Sequence, residues 1–188
     1  MFKYSSRILL ILAVLFSNVC FAEMLSNNDI NLYLKTFPVA SNTLDKVTAK
    51  IGKDKKLNIE LAMGQMEGNM HRKMMGMIKG WPEHALLKEI VKKQGFKSID
   101  DWALVADRIS GVIMSTSMVM MTASMGEKPL REDMNLFAYL DDKKNDAGLR
   151  KKYKDQLAEM CDRLCYKKTD LESVKNNYAK ITNVLNKK

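Results

Sequence analysis

Apolar side chains recur every three or four positions along this chain, in blocks separated by glycine, proline and short polar runs. That period is the signature of amphipathic helices, and no stretch alternates β-branched or aromatic with polar residues as a strand would. Ile30, Leu32 and Leu34 open a short helix that Asn27 or Asn28 caps and that stops near Phe37-Pro38, because a residue before proline is pushed out of helical backbone. A second segment over 43–51 has Gly52 as its terminator. After the polar run "GKDKKLN" the pattern predicts one helix over 57–79, closed by Gly80, and then a helix that starts with Pro82 in its first turn and ends before Gly95.

Ser98 caps the next helix, with Asp100 and Asp101 in the first turn where the helix dipole favours negative charge, and that helix runs to Ser124 with Gly126 after it. A shorter helix covers 130–140, and "DDKKNDAG" is a surface loop. The rest is a helical hairpin. Leu149, Tyr153, Leu157, Met160 and Leu164 form one apolar stripe, and Leu171, Val174, Tyr178, Ile181 and Leu185 the other. Between them "TDLE" offers a capping box of Thr169 and Glu172. The expected fold class is therefore all-α, a compact bundle of roughly six to eight helices with a C-terminal helical hairpin.

The first 22 residues read differently. Lys3 and Arg7 precede an apolar run over 8–16, and Cys20-Phe21-Ala22 supplies a cleavage site before Glu23, so residues 1–22 are expected to be a cleaved secretory signal. The run is too short to span a bilayer comfortably, and Ser17-Asn18-Val19 lacks the pattern that precedes a lipid-modified cysteine. The remaining 166 residues, 23–188, suit one domain with one core. Export is the expected localisation, to the periplasm if the cell is Gram-negative.

Composition changes the picture at the methionines. Eleven of the fifteen lie in two helices. In "MGQMEGNMHRKMMGM", Met63, Met66, Met70, Met74 and Met77 fall within about 40° of Met70 on a helical wheel, joined by Ile59. Met114, Met118, Met121 and Met125 repeat the pattern in "ISGVIMSTSMVMMTASM", an uncharged stretch whose six Ser and Thr residues argue against a bilayer span. Such stripes fill cores, since methionine adapts to irregular gaps, and they also line adaptable grooves for apolar ligands or partner helices. A chaperone-like client binder would use the same surface.

Thioethers also favour Cu(I) and tolerate an oxidising compartment. His71 stands about 100° from Met70 at the stripe's edge, with Glu67 one turn earlier, so a mixed site is geometrically open; otherwise His71 is a solvated surface residue. Cys161 and Cys165 in "MCDRLC", with Met160 beside them, extend the candidate soft-metal set of Met63, Met66, Met70, His71, Met74, Met160, Cys161 and Cys165. In an oxidising compartment a disulfide is the default for these two cysteines, with a reversible redox pair or the metal site as alternatives. Four residues apart on a helix they stand about 6 Å apart, near the upper end of disulfide geometry, so closure should distort the last turn.

Charge has one clear location. Residues 23–142 carry 16 basic and 16 acidic side chains, whereas 143–188 carry 13 and 6, so the positive excess is C-terminal. Lys143, Lys144, Arg150, Lys151, Lys152, Lys154, Lys167 and Lys168 are its candidate surface for an anionic partner: lipid head groups, acidic glycans, lipopolysaccharide phosphates or an acidic protein. Nucleic acid is not an expected partner outside the cell. With two histidines, no zinc spacing, no phosphate-cradling glycine loop and no G-x-S-x-G, the chain shows no catalytic signature. The carboxylate pairs Asp100-Asp101, Glu132-Asp133 and Asp141-Asp142 read as caps and surface. The sequence points to a non-enzymatic binding protein, with Cu(I) handling or client capture as the alternatives.

Overall fold

Ser26 starts the first helix by a reciprocal pair of bonds: its hydroxyl accepts from the Asp29 amide at 3.1 Å, while its own amide donates to the Asp29 carboxylate at 3.1 Å. In this computed structural model, which describes residues 25–125, 130–131 and 134–186, eight helices and no strand occur among the described residues. They are α1 (Asn27–Lys53), α2 (Lys55–Met66), α3 (Met70–Met77), α4 (Pro82–Lys93), α5 (Ile99–Ser124), α6 (Leu136–Asp141), α7 (Ala147–Leu164) and α8 (Asp170–Leu185). The expected signal segment 1–22, the terminator Gly126 and the pair Glu132-Asp133 lie outside the described residues.

The all-α expectation holds, and several boundaries move. The two short helices expected on either side of Phe37-Pro38 are one helix of 27 residues, with Pro38 inside it and Gly52 within its last turn. Tyr33, Thr36, Ala40, Thr43, Leu44 and Val47 are buried on one face that continues across the proline, while Pro38 points to solvent on the opposite face. A continuous buried stripe of that length outweighs the roughly 3 kcal/mol that an interior proline costs. Asp54, not Gly52, ends α1 and caps α2 by accepting from the Lys56 and Leu57 amides.

The methionine helix expected over 57–79 is two helices. Gly68 takes φ +68°, and the Asn69 amide donates to the Gly64 carbonyl at 2.9 Å while the Gly68 amide donates to that of Gln65 at 3.3 Å, a Schellman closure of α2. The break has a tertiary cause as well: a Cβ at Gly68 would overlap the carbonyl oxygen of Leu164, at the end of α7. Further on, Pro82 at the start of α4, the Ser98 cap and the glycine turns at Gly80 and Gly95 stand where the sequence places them. The helix expected over 130–140 is the shorter α6, capped by Asn135. The Thr169 capping box does not form, because Asp170 is drawn inward instead.

α5 is the central helix, packed against α1, α3, α4, α7 and α8. One apolar core runs from Leu25 to Ile181, with Trp102, Ile109 and Val112 of α5 fully buried in it. Among the described residues α5 alone is long and apolar enough to cross a membrane. Its neighbours bury it as far as Thr116, and beyond that point one face is exposed at Ser117, Met118, Met121 and Met125. α7 approaches it at a residue with no side chain, since a Cβ at Gly111 would also overlap the Leu164 carbonyl oxygen.

The two glycine environments predict opposite outcomes. Gly111→Ala should cost about 2 kcal/mol or more, because the obstacle is backbone and cannot rotate away. Gly52→Ala, in a helix with open space around it, should raise stability by about 0.5 kcal/mol. Urea unfolding of the two variants beside the parent checks both signs.

Candidate functional site

The Asn69 side chain leaves the start of α3 uncapped. The exposed amides are met from another helix: Asp107 of α5 accepts from the His71 amide at 2.7 Å and the Arg72 amide at 3.3 Å, from His71 Nδ1 at 3.0 Å and from Arg72 Nε at 2.8 Å. Only 1% of the Asp107 side chain reaches solvent. Burial pushes its carboxyl up, but the hydrogen bonds from His71 and Arg72 outweigh that and hold it below the usual aspartate value. His71 packs edge-on against Trp102, ring centroids 5.8 Å apart. It is therefore buried, which corrects the expectation of a solvated surface histidine.

The neighbouring Arg108 makes a second buried pair, donating to Asp170 through Nε at 2.9 Å and through a terminal nitrogen at 2.5 Å, while Asp170 also accepts from the Leu25 amide. Tyr166 links the two pairs. Its ring faces Arg72 at 5.3 Å and Arg108 at 5.8 Å. None of Asp107, Arg108, Asp170 or Tyr166 stood out in the sequence, although an adjacent acid and base immediately before the uncharged stretch of α5 was a usable signal.

Beside Asp107 opens a cleft of about 310 Å³. Met70, Gly68, Gly111, Ile113, Met114 and Leu185 give it an apolar lining, and Gln65, Ser110 and Ser117 supply polar edges. Ser117 also borders a second cleft of about 260 Å³, formed with Met120, Met121, Ser124, Met134 and Tyr178. The two clefts lie along α5 and share Ser117 at their border. Asp107, Gly111, Met114, Met118, Met121 and Met125 lie on a single helical face that emerges from the core, passes the clefts and ends with Met121 53% and Met125 77% exposed.

The structure divides the candidate soft-metal residues. Met70 lines the first cleft, Met74 is buried with 4% exposure, and Met63 and Met66 stand in solvent on α2. His71 Nδ1 is held by Asp107, and Met160 packs half-buried on α7. Cys161 and Cys165 are joined, their Cα atoms 4.7 Å apart, and α7 ends at Leu164 with Cys165 turned out to ψ 136°. The distorted last turn is the one the spacing demands. No group of three or more His, Cys, Asp and Glu able to hold a metal occurs among the described residues.

The basic residues fall into two groups at opposite ends of α7, a helix about 27 Å long. Lys143, Lys144, Lys151, Lys152 and Lys154 are exposed at one end, with Lys151 paired to Asp155 at 2.6 Å and Arg150 half-buried on the Asn145 carbonyl. At the other, Lys168 pairs with Asp162 at 2.6 Å and Lys167 lies beside the Tyr166 ring. They do not form one continuous surface. Compared with protein-family models, curated proteins and solved structures, the chain matches none.

Asp107→Asn should cost about 2–4 kcal/mol, since it leaves Arg72 and the α3 amides facing a neutral group. With its carboxyl held low in the folded state, Asp107 contributes stability that is full above the ordinary aspartate range and is lost only as pH falls below that range and through the lowered folded value. The difference between parent and variant should be widest at about pH 7 and narrow progressively as pH falls below the ordinary aspartate range, as read from urea midpoints.

Proposed function

We propose that this protein is a non-catalytic binding module whose methionine-lined groove along α5 takes an apolar chain, such as an acyl chain or the apolar face of a peptide. One observation carries the reading: Met70 and Met114 share one cleft, and a second cleft that borders the same Ser117 is lined by Met120, Met121 and Met134. Methionine is flexible and polarisable, so such a wall adapts to varied apolar shapes. The first cleft, at about 310 Å³, falls within the range of small-molecule sites, and Ser110 and Ser117 at its edge provide hydroxyls to orient a polar end.

Export to an oxidising compartment agrees with the joined cysteines. The exposed lysines at the start of α7 would raise the local concentration of an anionic partner, such as an envelope component or an acidic protein. The His71–Asp107 pair resembles an acid/base relay, but Asp107 is saturated by α3 and the imidazole is packed on Trp102, so the pair serves folding.

Titration with the neutral apolar dye Nile red tests the groove. The parent should bind and brighten the dye, and Met114→Glu should weaken binding by at least about tenfold. Lys152→Ala should leave it unchanged. An equal affinity in Met114→Glu would overturn the groove, and tight Cu(I) capture that Met70→Leu abolishes would replace it with soft-metal handling.

A further inference from the structure

Resting on the groove proposed above, we infer that the Cys161–Cys165 disulfide is a thiol-responsive latch that sets the groove's shape. Gly68 and Gly111 both line the groove, and both abut the carbonyl oxygen of Leu164, which lies inside the disulfide loop. The Cys165 Cα is 3.3 Å from the position a Gly111 Cβ would occupy, and its sulfur is 3.8 Å from the Ser115 hydroxyl. Tyr166, the next residue, faces Arg72 and Arg108. Three consecutive residues at the end of α7 thus touch the groove wall and both buried ion pairs.

The disulfide holds its Cα atoms 4.7 Å apart, where an undistorted turn would set them about 6 Å apart. Opening the bond lets the turn relax by roughly 1 Å, and a close-packed contact of backbone on glycine has no slack to absorb that. Leu164–Tyr166 must lift, and the wall behind Gly68 and Gly111 leaves with it. Packed interfaces switch between arrangements rather than bending, so a small local change moves the whole α7 end.

The chemistry needs an external dithiol. Its thiolate attacks the sulfur of half-buried Cys165 rather than that of buried Cys161; the S–S bond breaks, and Cys161 leaves as a thiolate and takes a proton. The second thiol of the reductant then resolves the mixed disulfide. The chain gains two electrons and two protons, and the reductant closes to its own disulfide.

The test compares the protein as isolated, the same protein reduced with dithiothreitol, and the Cys161→Ser/Cys165→Ser variant. Reduction should speed amide exchange in segments 64–70 and 108–117 by about tenfold and weaken Nile red by at least about fivefold, the double variant matching the reduced form. Reoxidation should reverse both changes in the parent alone. If the double variant fails to fold, the reversible change in the parent decides the matter. Identical exchange in oxidised and reduced protein would overturn the latch even if the dye still binds. A redox-dependent change in exchange with no dye binding in either state would uphold the latch's movement and remove the binding role of the groove.

Discussion

The end of α7 rests on two glycines, and the rest of the architecture follows from that contact. The Leu164 carbonyl sits where side chains at Gly68 and Gly111 would otherwise be, which brings the α7 backbone against α5 and against the α2–α3 turn at once. Gly68 adopts φ +68° without strain because it lacks a Cβ, and the same lack admits the Leu164 carbonyl, so the close approach and the break in the methionine helix coincide. With the break, α3 swings onto α5 and α2 is left outside, where only Gly64 is buried. The groove is the space left between the turn, α5 and the end of α8.

Two ion pairs lock this arrangement. Asp107 does for α3 what a local capping residue does elsewhere, and Arg108 fixes the start of α8 through Asp170. Buried ion pairs add little net stability compared with apolar packing of the same volume, but removing one partner strands the other. Their value here lies in register: both come from consecutive residues of α5, so a shift of α3 or α8 along that helix would break one or the other. Tyr166 ties the pairs to the disulfide turn.

Most of the helical framework was legible in the sequence because its signals are local. Pro82, Ser98, Gly80 and Gly95 punctuate the chain through their own backbone preferences, and the paired apolar stripes of α7 and α8 follow from period alone. The misplaced boundaries are those where a distant contact decides. Pro38 continues a helix because the opposite face is buried on both sides of it, and Thr169 fails to cap because Arg108 claims the adjacent aspartate. The candidate site was only partly legible for the same reason. The methionine periods were real, but the wheel assumed one straight helix through Gly68, and so joined Met63 and Met66 to Met70 and Met74.

What the structure leaves is a division of labour among like residues. Met74 and Met75 are core, Met70 and Met114 face each other's cleft, and Met121 and Met125 carry the apolar face of α5 into solvent. The most direct test of the binding role reads these groups separately, by NMR of the protein labelled at its methionine methyls and titrated with a single apolar chain such as a short-chain fatty alcohol. The Met70, Met114 and Met121 methyl signals should shift together and saturate while Met74 and Met75 stay in place. Shifts spread evenly over the exposed methionines, or none at Met70 and Met114, would contradict a groove built to bind.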